Sequence, residues 1–434
     1  MQVIDSGFAA SLARVLPGWL RRQTWLSRSA ATLLGVEVLD TETIVRDPAI
    51  GWVDVRAMFG GGVAERYRLI VAVRTEVPSD IDPDAVIGEV EVDGRTLVAF
   101  EAMAWRAGAL SAIRALMPHV VDTAVAPDAL TVLPWGGISP TVLIDVRWEI
   151  KAHRQVSDLP NPDVELPAAM ARAEVGRVAP IAEQVTRNGQ VALALRSSLR
   201  IRQDGLDLVA ASLRQLFEAR VPPRLARNDV ADEMEQIGRG VAEMHVALAT
   251  TFESEPADGG AWAELLLAPL HRLGSGRIRF DRLEGVLQRL QGAEDLGRSI
   301  RTHGNLHLGN VAQTMQGWIP HNFEGDGRPY SELRQNVSPL RDLGRLVVSL
   351  GRAARTMTEH YLEDDFERDR ELDVLADSWE ERVVSHLVGG YTSVDEVHRL
   401  LPAGREARDA LLRVFELEHQ LTNVMPETHE SPWG

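Results

Sequence analysis

One stretch of the chain, residues 301–328, concentrates the side chains that could do chemistry. It contains two polar motifs, HGNLHLGN at residues 303–310 and HNFEGD at residues 321–326. Two apolar runs between them flank a turn at Gln316-Gly317, which predicts a hairpin. Because the motifs stand at the outer ends of that hairpin, we expect them to lie side by side in one cleft. Their amide, carboxylate and imidazole groups can accept hydrogen bonds, and a histidine can also act as a base.

A single lysine is the second feature that points to a site. The chain has 46 basic residues, and Lys151 is the only lysine among them. A lysine in so arginine-rich a chain suggests a position that needs a compact point charge rather than a planar guanidinium. The alternative is an ordinary surface lysine.

Composition excludes several classes of function. The formal net charge of −17 argues against nucleic acid or an anionic membrane as the main partner, since both require a basic face. There is no cysteine, no apolar run of the ~20 residues that span a bilayer, and no evident signal peptide. We therefore expect a soluble cytoplasmic protein, and its oligomeric state stays open.

The positioning elements fall into three predicted regions. Residues 1–90 are typical of a small α/β unit, with a helix near residues 9–25 and a strand at residues 66–74. Residues 91–200 contain strands at 131–133 and 141–151, which predict a small sheet that ends in Lys151. Residues 201–434 are mainly helical and include the two motifs.

The two motifs resemble the catalytic and metal loops of kinases that phosphorylate small molecules. In that aminoglycoside-phosphotransferase-like (protein-kinase-like) superfamily, the loops read His-Gly-Asp-x-His-x-x-Asn and Asp-Phe. The similarity is most specific to the maltokinase and glucosamine-kinase group, whose second loop reads Asp-Phe-Glu-Gly-Glu and is followed by Ser-Pro-Leu-Arg-Asp, here residues 338–342. The resemblance implies an α+β fold with a small antiparallel sheet lobe, a large helical lobe and an N-terminal α/β cap.

The resemblance also implies a nucleotide site for ATP or ADP. Lys151 would contact the α- and β-phosphates, and Glu165, in the Asn-Pro-Asp-x-Glu match at residues 161–165, would pair with the lysine. Ser139, in a Gly-Gly-Ile-Ser turn, would help to cover the phosphates, and Asn310 matches a metal-binding amide of the family. An ordinary hairpin at Ser139, and a Glu165 that serves only the helix dipole, are the alternatives.

Two amides stand where the family has its reactive carboxylates, at Asn305 and Asn322. Asparagine cannot take a proton, so Asn305 could only orient a substrate hydroxyl, and His307 is a candidate for a relocated base. Mg²⁺ prefers anionic oxygens, so a site formed by Asn310, Asn322 and Glu324 should be weakened.

Four hypotheses follow from these amides. The protein is a pseudokinase, or very slow kinase, that binds nucleotide and a sugar-like ligand; or it is an active sugar, aminosugar or cyclitol kinase that uses Glu324 or Asp326 for metal. A different reaction on the same scaffold is the third hypothesis, since fold does not fix function. The fourth is that the two asparagines were introduced in place of aspartates.

Overall fold

The computed structural model describes residues 4, 6–26, 32–121, 125–134, 137–173, 175, 178, 181–262, 264, 295–325, 328–362 and 370–422. Asp326, one of the two predicted alternative metal ligands, lies outside these ranges.

The N-terminal unit is a helix packed on an antiparallel sheet. Its elements are α1 (Ser6–Leu20), β1 (Leu33–Val45), β2 (Ala49–Phe59), β3 (Ala64–Arg74), β4 (Val86–Val92) and β5 (Arg95–Glu101), and the strand order is β1-β2-β3-β5-β4. Phe8, Leu12, Leu16 and Trp19 recur at helical spacing on α1 and are buried against the sheet. The predicted boundary at residue 90 lies within β4, so this first sheet continues past it to Glu101.

A second antiparallel sheet forms the small lobe. After α2 (Arg106–Leu116) come β6 (Leu130–Val132), β7 (Thr141–Ile144), β8 (Trp148–Ala152), β9 (Gln155–Val156), α3 (Pro162–Arg172), β10 (Ile181–Arg187) and β11 (Gln190–Ser197). The sheet order is β10-β11-β8-β7-β6, while β9 pairs with β3 of the first sheet. The segment from β8 to β9 therefore passes directly from one sheet to the other.

A buried ion pair fixes that passage. Nε and Nη2 of Arg154 each donate to the Glu101 carboxylate at 2.9 Å, and the guanidinium lies 4.4 Å from the centre of the Trp25 ring. Arg154 also donates to the carbonyl of Gly137. Because burial opposes charge on Glu101 and raises its pKa, the carboxylate depends on Arg154 for its ionised form.

The large lobe is mainly helical. Its elements are β12 (Gln203–Asp204), α4 (Gly205–Ala219), α5 (Ala231–Thr251), β13 (Glu255–Pro256), β14 (Arg298–Ser299), β15 (Val311–Thr314), β16 (Gly317–Pro320), α6 (Tyr330–Leu333), α7 (Leu340–Leu362), α8 (Arg370–Thr392) and α9 (Arg405–Thr422). Helices α5 and α8 approach so closely that a Cβ at Gly238 would lie 2.0 Å from the carbonyl oxygen of Leu387. Within the described part of the chain, no helix is both long and apolar enough to cross a membrane.

The predicted hairpin between the two motifs is present as β15 and β16, with Thr314 paired to Gly317. The α+β, two-lobed fold with an N-terminal cap is confirmed by this arrangement of sheets and helices. The hairpin brings residues 303–310 and 321–325 together under the small lobe.

Candidate functional site

Strand β8 and the residue that follows it direct a row of ionisable side chains toward the large lobe. Glu149, Lys151 and His153 alternate along the chain, and alternate residues of a strand share one face. Lys151 stands opposite Ala194 of β11, and Glu149 stands opposite Arg196. The Lys151 side chain is 9% exposed, so its ammonium requires buried partners.

Asp163 is the first partner of Lys151. Asn161 caps α3, because its side chain accepts from the Asp163 amide at 2.9 Å, and the Asp163 carboxylate lies in the first turn of the helix. One carboxylate oxygen lies 3.1 Å from Lys151 Nζ and 3.4 Å from Arg196, and the other accepts from the Phe323 amide at 3.0 Å. Burial alone would raise the pKa of Asp163, but Lys151 and Arg196 outweigh it and lower that pKa.

The predicted pairing of Lys151 with Glu165 is wrong. Asp163 and Glu165 both lie in the first turn of α3, and residues two apart on a helix do not face the same way. Glu165 instead lies 3.0 Å from Arg301 and 2.5 Å from Arg334. It therefore anchors α3 to the large lobe, and Asp163 takes the partner role that the sequence assigned to Glu165.

Glu324 is the second carboxylate on Lys151. One of its oxygens lies 2.7 Å from Lys151 Nζ, and the other accepts from the Ser139 hydroxyl at 2.6 Å and faces His153 Nδ1 at 2.7 Å. Burial opposes ionisation of Glu324, but Lys151 and His153 outweigh it and lower the pKa to about 2. Burial would also lower the pKa of Lys151, yet Asp163 and Glu324 together raise it, so both groups are charged at neutral pH.

The two predicted site loops are joined to Lys151 by a chain of amides. Lys151 Nζ donates to Asn322 Oδ1 at 3.1 Å, and Asn322 Nδ2 donates to Asn310 Oδ1 at 3.0 Å. Asn310 Nδ2 then donates to the Asn305 carbonyl oxygen at 2.9 Å and lies 3.0 Å from His307 Nε2. Asn322 occupies the left-handed region, φ +62°, which asparagine tolerates better than most residues. We call this series, from Lys151 through Asn322 and Asn310 to His307, the amide chain.

Asn305 is buried and its side-chain oxygen is already occupied. Arg345 Nη1 donates to Asn305 Oδ1 at 2.8 Å and to the Gly304 carbonyl at 2.5 Å. Nδ2 of Asn305 is buried without a hydrogen-bond partner among the described residues. His307 accepts from the Gly309 amide through Nδ1, and its Nε2 lies 3.0 Å from Asn310 Nδ2, so both ring nitrogens contact the protein. Neither predicted catalytic side chain presents a free basic group to a substrate hydroxyl.

The loop that carries Asn305 is held from below by Asp342. Its two oxygens accept from the backbone amides of His303 and Gly304 at 2.8 and 3.0 Å, and it also faces His245 Nε2 at 3.1 Å. Burial lowers the pKa of His303 to about 4, and the neutral ring donates to the His321 carbonyl at 2.9 Å. The two loops are therefore fixed by hydrogen bonds before any ligand arrives.

The predicted metal donors Asn310, Asn322 and Glu324 do not fit a Mg²⁺ site. Mg²⁺ requires free, preferably anionic, oxygens in octahedral geometry. Here both amide oxygens accept hydrogen bonds within the amide chain, and Glu324 is held by Lys151, Ser139 and His153. Across the residues that the structure describes, no group of three or more His, Asp or Glu side chains is placed to hold a metal ion.

Sequence reasoning brought Lys151, Ser139, Asn310, Asn322 and Glu324 to one site, and the structure places them together. Sequence reasoning did not assign Asp163, His153 or Arg345 to the site. His153 carries a readable signal, because it stands two residues after Lys151 and shares its strand face. Arg345 carries no such signal, because nothing in the sequence indicates that a helical arginine 40 residues away contacts Asn305.

The sheet that carries the lysine, the helix that supplies its carboxylate and the hairpin loops below define a protein-kinase-like fold. The family model described as the maltokinase N-terminal cap domain matches residues 19–104, which agrees with a first sheet that ends at Glu101. A region similar to the maltokinase N-terminal cap is thus followed by a kinase-like fold.

Solved structures of glucosamine kinase are similar over most of the chain. One, in complex with glucosamine, ADP and inorganic phosphate, has 14% sequence identity and a TM-score of 0.57, and the match covers 89% of this chain and 88% of that one. Another, in crystal form A, has 14% identity and a TM-score of 0.57 with 98% of both chains covered. At this identity the similarity shows the shared fold.

The Asn322→Asp variant tests whether the amide chain replaces a metal. The substitution puts an oxygen where Nδ2 now donates, so two acceptors would face each other between residues 310 and 322. In the absence of metal, we expect thermal unfolding to show that the free energy of unfolding of the variant is lower by about 1–3 kcal/mol, because a buried acceptor loses its donor. Millimolar Mg²⁺ should recover much of that loss, since a cation can bridge the two oxygens.

The matched control is Asn188→Asp, at an exposed amide in the β10–β11 turn that also has a left-handed backbone, φ +52°. It should change stability little and should not respond to Mg²⁺. The interpretation is wrong if Asn322→Asp keeps full stability without metal, or if Mg²⁺ stabilises the unaltered protein as much as the variant.

Proposed function

We propose that this protein is a maltokinase- or aminosugar-kinase-like pseudokinase, or very slow kinase, that binds a nucleotide and a sugar-like molecule. The observation that carries the proposal is the state of Lys151. Its ammonium is held by Asp163, Glu324 and Asn322, so the oxygens that would serve a metal are engaged by the protein itself. The shared fold with glucosamine kinase supports the nucleotide and sugar parts of the proposal.

ATP or ADP would use Lys151 as its cationic anchor. A lysine ammonium has three donors, and here three oxygens surround it at 2.7 to 3.1 Å. A phosphate oxygen therefore has to replace one of them. Asn322 is the partner that gives way at least cost, because its oxygen carries no formal charge. This exchange makes nucleotide affinity modest and leaves it almost independent of Mg²⁺.

Phosphotransfer is limited by the missing base. Asn305 cannot accept a proton, and its oxygen is bound by Arg345. His307 would have to release a hydrogen bond at Nδ1 or Nε2 before it could act. Positioning and charge neutralisation drive phosphoryl transfer. This site can position the reactants, but it lacks the two carboxylates that the resemblance assigns to the substrate hydroxyl and to the metal.

The alternative of an active kinase that uses Glu324 for metal conflicts with the contacts of that side chain. Glu324 would have to leave Lys151, Ser139 and His153, and Lys151 would then keep a single carboxylate, Asp163. Breaking a buried pair of this kind costs about 3–5 kcal/mol. Any other reaction that binds a divalent metal through Glu324 would also require this side chain to leave Lys151, Ser139 and His153.

Calorimetry with ATP tests the nucleotide site. We expect the unaltered protein to bind ATP with an affinity that changes by less than about threefold when Mg²⁺ is added, because the anchor is an ammonium rather than a metal. Lys151→Met should weaken binding at least about tenfold through loss of that charge. Arg147→Met, at an exposed arginine in the turn before β8, is the control and should bind as the unaltered protein does.

The thermal transition of Lys151→Met must be followed in parallel, since the variant leaves Asp163 and Glu324 with fewer partners. Absence of ATP binding by the unaltered protein would remove the nucleotide part of the proposal. Binding that survives Lys151→Met in a folded variant would move the nucleotide away from this site.

Turnover measurements test the impaired chemistry. We expect Asn305→Asp with Asn322→Asp to raise ATP-dependent phosphorylation of glucosamine or maltose at least about tenfold, because the pair restores a base and a metal ligand. Asn305→Asp alone should gain less, since residue 322 would still lack the carboxylate that holds a metal. If the unaltered protein already turns over at ~1–100 per second, the usual kinase range, the pseudokinase interpretation is wrong.

A further inference from the structure

One carboxylate oxygen close to Lys151 has no role in the chemistry described above. Glu149 stands two residues before Lys151 on the same face of β8. Nε and Nη2 of Arg196 both donate to Glu149 Oε1, at 2.8 and 2.5 Å. The other oxygen, Oε2, accepts no hydrogen bond within the described part of the chain and retains solvent contact, in a side chain that is 11% exposed. One anionic acceptor of the buried cluster is therefore open to a ligand.

The row of side chains on this face is closed at one end and open at the other. Two residues beyond Lys151, His153 is buried against the Glu324 carboxylate, with 2.7 Å between Nδ1 and the nearer oxygen. Protein groups therefore fill that end of the row. In the other direction come Glu149 and the segment 198–202, which joins the small sheet to the large lobe. A ligand that is anchored on Lys151 would extend along β8 toward Glu149.

The orientation of a nucleotide follows from this anchor, and this step rests on the function proposed above. In kinases the strand lysine contacts the α- and β-phosphates. Two residues of a strand span about 7 Å, so Glu149 is displaced from Lys151 by roughly the length of the ribose that separates the α-phosphate from the base. The Glu149 carboxylate would thus meet an edge of the base.

The chemistry of a carboxylate distinguishes the two purines. An ionised carboxylate can only accept hydrogen bonds. Guanine presents two adjacent donors, N1–H and the N2 amino group, whereas adenine presents its N6 amino group beside N1, an acceptor that the carboxylate would repel. Arg196 directs donors to Glu149 and Asp163, which fixes the carboxylate before a ligand arrives. Hydrogen bonds to a charged group are about twice as strong as neutral ones, so the difference between the two bases should be measurable.

We propose that Glu149 selects the base of the nucleotide bound at Lys151 and favours guanine over adenine. Lys151 contacts only the phosphates, so ATP still binds, but more weakly than GTP. The base-selecting residue is thus separate from the residues that limit phosphotransfer, Asn305 and Asn322.

Calorimetry with GTP and ATP on the full chain tests the proposal. We expect the unaltered protein to bind GTP at least about fivefold more tightly than ATP. Glu149→Gln keeps an oxygen for Arg196 and adds an amide donor, and glutamine pairs with adenine through one donor and one acceptor. The variant should therefore lower the ratio of GTP affinity to ATP affinity at least about tenfold. Glu89→Gln makes the same change of charge at an exposed position of β4 and should leave the ratio unaltered.

Two results would overturn the proposal and leave the nucleotide site itself in place. One is an unaltered protein that binds ATP as tightly as GTP or more tightly. The other is a Glu149→Gln variant that weakens both nucleotides equally, which would assign the carboxylate to the ribose or to the fold. Binding of neither nucleotide would instead remove the proposed function. Thermal unfolding checks that Glu149→Gln folds, and the comparison of GTP with ATP on the unaltered protein decides the matter if it does not.

Discussion

The buried ammonium of Lys151 is the interaction on which the rest of the site depends. Two cations, Lys151 and Arg196, meet three carboxylates, Asp163, Glu324 and Glu149, and all five side chains are almost fully buried. Such a cluster fixes the relative positions of its members, because removing one partner would leave a buried unpaired charge and strongly destabilise the fold. It also ties three parts of the chain together: the small sheet, α3, and the loop that follows β16.

Electrostatic balance explains why amides suit positions 305 and 322 in this arrangement. The cluster already carries one more carboxylate than it has lysine and arginine side chains, and a further carboxylate at residue 322 would add a fourth anion. An amide avoids that repulsion and supplies a donor as well as an acceptor, so it can link Lys151 to Asn310 directly. At residue 305 the amide oxygen accepts from Arg345, which removes any need for a charge there. The two asparagines thus belong to a self-consistent hydrogen-bond network.

Much of this site could be predicted because it depends on local spacing. The hairpin of β15 and β16 sets the distance between Asn310 and Asn322, and a strand period of two aligns Lys151 with its neighbours. The choice between Asp163 and Glu165 could not be made, because both carboxylates lie in the first turn of α3 and the packing of that helix decides which one faces the sheet. Two residues along a helix correspond to more than half a turn, so only one of the two carboxylates can face the sheet. The contact of Arg345 with Asn305, and the end of the first sheet at Glu101, depend on tertiary packing that spacing does not encode.

A structure of the unaltered protein crystallised with ATP and Mn²⁺, with anomalous scattering used to locate the metal, tests the central claim most directly. The account predicts triphosphate oxygens on Lys151 and no manganese between residues 310 and 322. A manganese ion coordinated by Asn310, Asn322 and Glu324, with Lys151 released from Glu324, would contradict it.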